Sequence, residues 1–198
     1  NTPNLVLLEG TWSADSEWLI LRVGGNGPTK LRNILAFRPG VDSAPQELLA
    51  SAQADESAPA LSPDGKWLAY ASDETGRNEV YVRPFPNVDD GKWQVSTNGG
   101  QAPLWAHSGR ELFYRSATGQ MMAVPVTTAP ALVVGTEQPL FVDSTYLRAP
   151  SYRGYDVTRD DKAFVMLRVL PESPQGNTGQ LVFVDNWFTE LKAKTGKQ

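Results

Sequence analysis

Short apolar runs separated by tight polar turns carry most of this chain. The run Trp67-Leu68-Ala69-Tyr70-Ala71-Ser72 leaves the turn Ser62-Pro63-Asp64-Gly65-Lys66, and a strand ending at Leu61 enters it, so the local reading is a hairpin. Diverged copies begin at Ser13, Ala106 and Thr158. The repeat is therefore ~48 residues long, a period that signals stacked supersecondary units. After each hairpin a glycine-containing loop leads to a third strand, read as Asn33 to Phe37, Glu79 to Val82, Gln120 to Val124 and Gln180 to Val184. Pro39, Pro84 and Pro125 follow three of these and are expected to stop the ladder. A fourth segment such as Lys92 to Thr97 closes a unit.

Helical periodicity is confined to the C-terminus, where Trp187, Phe188 and Leu191 share a face beside Glu190, Lys192 and Lys194. One short helix is expected over 186–195. The predicted fold is all-β: a β-propeller of about four four-stranded antiparallel blades, closed or part of a larger, six-bladed ring. The units fall at about 4–56, 57–100, 101–150 and 151–187, in a single propeller domain or fragment.

Composition narrows the chemistry. The 198 residues include 17 glycines and 15 prolines, which suits a turn-rich β chain. Net charge is -4, so no basic field exists to neutralise a phosphate backbone, and nucleic acid is not an expected partner. Cysteine is absent and histidine occurs once, which removes disulfides, thiolate chemistry and any site needing two imidazoles. No cofactor or metal is expected. The chain opens at Asn1 without an initiating methionine, and a processed product or excised fragment is the expectation.

Ser62-Pro63-Asp64-Gly65-Lys66 followed by Trp67-Leu68-Ala69-Tyr70 resembles the signature of TolB-like, WD-repeat-like β-propeller repeats. The ending from Val182 to Lys192 resembles the C-terminus of the propeller carried by bacterial serine/threonine protein kinases. The resemblance implies a non-enzymatic sensor or interaction module, extracytoplasmic and tethered through an upstream membrane helix. Two alternatives stay open: the substrate-filtering propeller of a prolyl-oligopeptidase-type peptidase, or a TolB-like envelope translocation protein. Kinase motifs are missing, and Gly24-Gly25-Asn26-Gly27-Pro28 lacks the lysine and helix of a phosphate loop. The chain carries no Gly-x-Ser-x-Gly nucleophile elbow.

Asp15, Asp64 and Asp160 recur at one turn position, where a short carboxylate can accept backbone N–H groups. The pairs Asp73-Glu74, Asp89-Asp90 and Asp160-Asp161 read as solvated loop charge, and His107 as a rim residue with no partner identifiable from sequence. Trp12, Leu61, Trp105 and Val157 match one another before the turn, as do Leu19, Leu68, Leu112 and Phe164 after it. These positions, with Trp18 and Trp67, are expected to pack blades together. In a propeller the first strand of each unit lines the axial channel. Ser57, Gln101 and Arg153 occupy equivalent places there, flanked by Tyr152 and Tyr155, a set able to grip a carboxylate or a carbonyl-rich peptide. Arg153 could instead hydrogen-bond blade backbone or a loop acid. The expected partner is a protein, peptide or small molecule on the axial face. An open fragment would also expose sheet edges and self-associate.

Overall fold

One backbone arrangement closes all four hairpins. Ser13, Ser62, Ala106 and Thr158 each donate an N–H across the turn, to the carbonyls of Trp18, Trp67, Glu111 and Ala163 at 2.8–2.9 Å. Each turn also needs one residue at positive φ, supplied by Ser16, Gly65, Gly109 and Asp161 at 61°, 68°, 68° and 58°. Glycine adopts this conformation freely and aspartate tolerates it, so Asp161 fits where the repeat otherwise favours Gly. The structure is a computed structural model and describes residues 5–25, 32–143, 146, 153–167 and 181–183. The expected C-terminal helix, Tyr152 and most of the glycine-rich loop after Gly25 lie outside the described residues.

The chain forms four antiparallel sheets in sequence order. The first contains β1 (Leu5–Trp12), β2 (Leu19–Gly25), β3 (Arg32–Phe37) and β4 (Gln46–Leu49). The second contains β5 (Glu56–Leu61), β6 (Trp67–Ser72), β7 (Glu79–Pro84) and β8 (Trp93–Gln94), with one 3-10 turn at Val88–Asp90. In the third, β9 (Gly100–Trp105), β10 (Glu111–Ser116) and β11 (Gln120–Thr127) meet two short outer strands, β12 (Val133–Val134) and β13 (Gln138–Val142). The fourth holds β14 (Tyr155–Val157), β15 (Phe164–Leu167) and β16 (Leu181–Phe183). This all-β succession of meanders is the propeller that the repeat predicts.

Register confirms the repeat at single-residue level. Trp12 pairs with Leu19, Leu61 with Leu68, Trp105 with Leu112 and Val157 with Phe164. Because successive side chains alternate faces, this register aims Leu68, Leu112 and Phe164 at the preceding sheet. Leu68 packs with Ile20 and Ile34, Leu112 with Ala69 and Val82, and Phe164 with Phe113 and Met121. Trp18 meets Phe85 edge-on at 5.1 Å across the first junction, and within the second sheet Trp67 meets Trp93 at 5.5 Å. Three junctions thus share one core design.

Trp12 departs from the expectation of blade packing. Its register partner is correct, but it is 53% exposed, whereas its equivalent Trp105 is 4% exposed and donates its indole N–H to the Ala60 carbonyl of the second sheet at 3.1 Å. The difference is positional, since the face of the first sheet carrying Trp12 has no sheet of the described residues stacked on it. Of the prolines expected to stop the ladder, Pro125 alone needs correction, since β3 ends before Pro39 and β7 ends at Pro84. Pro84 is the last residue of β7 and Pro125 lies inside β11, which runs on to Thr127. Phe85 and Val126 donate to Lys66 and Arg110 on the inner side, so the nitrogen of each preceding proline faces the outer side, where no ladder bond is lost. In β11 that point is where pairing passes from β13 to β12.

Candidate functional site

The turn carboxylates do what their position suggests. Asp15, Asp64 and Asp160 accept the N–H of Glu17, Lys66 and Lys162 at 3.0, 3.2 and 3.3 Å. Each also accepts the hydroxyl of Ser13, Ser62 or Thr158, and those hydroxyl oxygens in turn accept the N–H of Trp18, Trp67 and Ala163. For Asp15 and Asp160 the hydroxyl bond, with backbone help, holds the carboxyl below its ordinary range.

The third turn has Ala106 in place of the hydroxyl and Ser108 in place of the carboxylate, with Ser108 Oγ accepting the Arg110 N–H at 3.4 Å. A further cap comes from the fourth sheet. Asp161 accepts the N–H of His107 at 2.7 Å and of Ser108 at 2.9 Å, and its Oδ1 lies 3.2 Å from His107 Nδ1. Burial works to raise the Asp161 carboxyl, but the N–H groups of Ser108 and His107, with their side chains, outweigh it and hold the carboxyl below the usual range. Two sequence readings change here: His107 has an acid partner, and Asp161 is a tie between sheets rather than solvated charge. The other acidic pairs are mixed. Asp73 accepts the N–H of Asp55 at 2.8 Å and Glu74 meets Lys92 at 2.7 Å, while Asp89 is fully exposed.

The first strands of the first three sheets each carry a bulge. Register slips between Ser57 and Ala60 in the second sheet, and the matching Ala58 and Ala102 stand at φ 50° and 54°. In the third sheet the carbonyls at this bulge are taken by the fourth: Tyr155 donates its hydroxyl to Ala102 at 2.7 Å, and Arg153 Nη1 donates to Pro103 at 3.3 Å. Tyr155 is 5% exposed, its phenol is pushed up by burial, and Arg115 lies over its ring at 5.1 Å. It is a buried tie between sheets. Arg153 makes the backbone bond that the sequence left open as its alternative role.

Arg153 also lines a cavity of about 220 Å³ where the first strands of all four sheets converge. Thr11 and Trp12 come from β1, Ala60 and Leu61 from β5, Leu104 and Trp105 from β9, and Asp156 from β14; His107 completes the turn side. Of the channel set, Arg153 alone reaches this cavity among the described residues. Ser57 and Gln101 are partly buried on β5 and β9, on the far side of the bulge. His107, Asp156 and Trp12 were missed as site residues because their convergence spans sheets, and no local spacing marks it. Among the described residues no cluster of His, Asp or Glu is suited to a metal ion, and no helix is long and apolar enough to cross a membrane.

No family model matches the sequence. The chain is 30% identical over 115 residues to dipeptidyl aminopeptidase BI of Pseudoxanthomonas mexicana, an alignment that takes in 55% of this chain and 15% of the peptidase. Its fold is similar to TolB from Acinetobacter baumannii, with a TM-score of 0.62 and 15% identity over 91% of this chain and 41% of TolB. It is also similar to a puromycin-hydrolyzing peptidase of Mycobacterium tuberculosis, with a TM-score of 0.60 and 20% identity over 83% of this chain and 28% of the peptidase. The chain therefore spans less than half the length of these proteins. What it shares with the two solved structures is the propeller fold.

Proposed function

We propose that this chain is a non-catalytic, peptide-binding stretch of a β-propeller, the part that admits or holds a peptide for a partner domain such as a peptidase. The observation that carries this reading is the axial cavity built from all four first strands. Likeness to dipeptidyl aminopeptidase BI supports the peptidase setting. Ser57 and Gln101 extend the wall beyond the cavity, and the units 4–56, 57–100, 101–150 and 151–187 are its blades. An extracytoplasmic location fits the reading.

The test is calorimetric titration of the 198-residue chain with tri- to pentapeptides. Saturable binding that is lost in Leu104→Glu, which puts a charge on the cavity wall, is the expected result. Absence of binding to any peptide overturns the reading. A kinase-borne sensor is a second reading, and it rests on the resemblance of the Val182 to Lys192 ending. The gene sequence on either side of this segment separates the two: a hydrolase domain supports the first, a kinase and membrane helix the second.

A further inference from the structure

The axial cavity has an uneven set of hydrogen-bonding groups. Its cation is Arg153, whose guanidinium donates one N–H to the Pro103 carbonyl at 3.3 Å and interacts electrostatically with the Glu9 carboxyl of β1. Five donors in a planar fork suit a carboxylate. Two other wall residues bring polar side chains, the acceptor Asp156 and the imidazole of His107. Asp156 spends Oδ1 on the N–H of Val157 at 2.8 Å, and its side chain is exposed. His107 faces the Asp161 carboxylate through Nδ1 at 3.2 Å. An ionised carboxylate only accepts, so Nδ1 is the donor of this contact, and Nε2 is the ring's other polar atom. Trp12, Leu61 and Leu104 supply apolar surface between these groups.

The matching ligand carries one carboxylate, an adjacent N–H donor and an apolar side chain. We infer that the cavity binds an α-amino carboxylate, with Arg153 taking the carboxylate and Asp156 and His107 facing the nitrogen. Drug-sized ligands occupy pockets of roughly 300–1,000 Å³. At about 220 Å³ this cavity is matched to a single residue. Two sources share that chemistry: the C-terminal residue of a peptide and a free amino acid. The inference rests on the peptide-binding reading for the first source and stands without it for the second. Asp161 is a positioning residue, because it fixes the His107 ring and the turn beneath it.

Calorimetry on the 198-residue chain tests this with three probes: a tripeptide ending in leucine, the same tripeptide with a C-terminal amide, and free leucine. The free-acid tripeptide should bind at least tenfold more tightly than the amide. Arg153→Gln should erase that ratio and Arg153→Lys keep part of it, with unchanged melting temperatures showing that both variants are folded. Asp161→Asn should weaken the acid and the amide alike and leave the ratio intact. Equal binding of acid and amide by the unaltered chain overturns the carboxylate assignment while leaving peptide binding in place. Binding of free leucine alone keeps the assignment and removes the peptide reading. Binding of none of the three overturns both.

Discussion

Asp161 and His107 stand 54 residues apart in sequence, yet one carboxylate of the fourth sheet accepts the backbone N–H of the other residue's turn at 2.7 Å and meets its ring at 3.2 Å. The third hairpin turn is thus capped by a side chain from another sheet. Removing that side chain by Asp161→Ala leaves two partly exposed N–H groups to water. A loss of about 1–2 kcal/mol in unfolding free energy is expected, measured by urea denaturation.

The same contact sets an acid dependence. The folded Asp161 carboxyl titrates below its ordinary 3.8, so its contribution is complete above that value and is lost as pH falls through the lower, folded one. Asp161→Asn should flatten this part of the acid limb of a stability–pH curve. An unchanged limb would remove the carboxylate from the account.

Glu56 sets a dependence of opposite sign. It is 5% exposed, Oε2 has no hydrogen-bond partner, and burial pushes its carboxyl up to about 7 from 4.5. The folded state therefore holds a proton that the unfolded state releases, and stability declines as pH rises from 4.5 to about 7. At 1.36 kcal/mol per unit the decline is of order 3 kcal/mol. Glu56→Gln should abolish it and leave the variant the more stable form at pH 8. The reading fails if the two proteins keep parallel curves across that window.

The two register-equivalent tryptophans should behave differently. Trp105→Ala removes a buried indole and its bond to Ala60 and should cost about 3–5 kcal/mol, while Trp12→Ala, at 53% exposure, should cost under about 1 kcal/mol. Leu68→Ala and Leu112→Ala, both fully buried, should cost about 2–5 kcal/mol, against less than about 0.5 kcal/mol for Asp89→Ala. Melting curves of the five variants check the set. Equal melting temperatures would mean the repeat register does not define the core.

The repeat was legible because its signals are local. A turn needs a residue at positive φ and an apolar strand after it, and both recur at the same offset, so Leu68, Leu112 and Phe164 could be placed from sequence. Exposure was less legible, since Trp12 and Trp105 share every local feature and differ only in what stacks on them. Pro125 misled for a related reason. A proline's effect depends on which side its nitrogen faces, and that depends on strand parity within the sheet. The partners of His107 and Arg153 come from neighbouring sheets, a relation that one-dimensional spacing does not carry.

On β1, Leu7 is 61% exposed, with Val6 and Leu8 at 41% and 43% beside Trp12. An apolar strip of this kind favours contact with another copy. Sedimentation equilibrium of the chain should show mass rising with concentration, and Leu7→Glu should return it to 21.6 kDa. A 21.6 kDa species at every concentration of the unaltered chain would show that the strip is not self-adhesive.

The indole of Trp105, held against the Ala60 carbonyl, gives the molecule an internal gauge. Its N–H proton is shielded from solvent and hydrogen-bonded across the second and third sheets, so in a spectrum of the six tryptophans it should exchange with deuterium slowly and shift apart from the exposed Trp12. Loss of that slow resonance while backbone amides of β6 stay protected would time the separation of two sheets independently of the unfolding of either. One side chain therefore makes the mechanical coupling between neighbouring repeats directly observable.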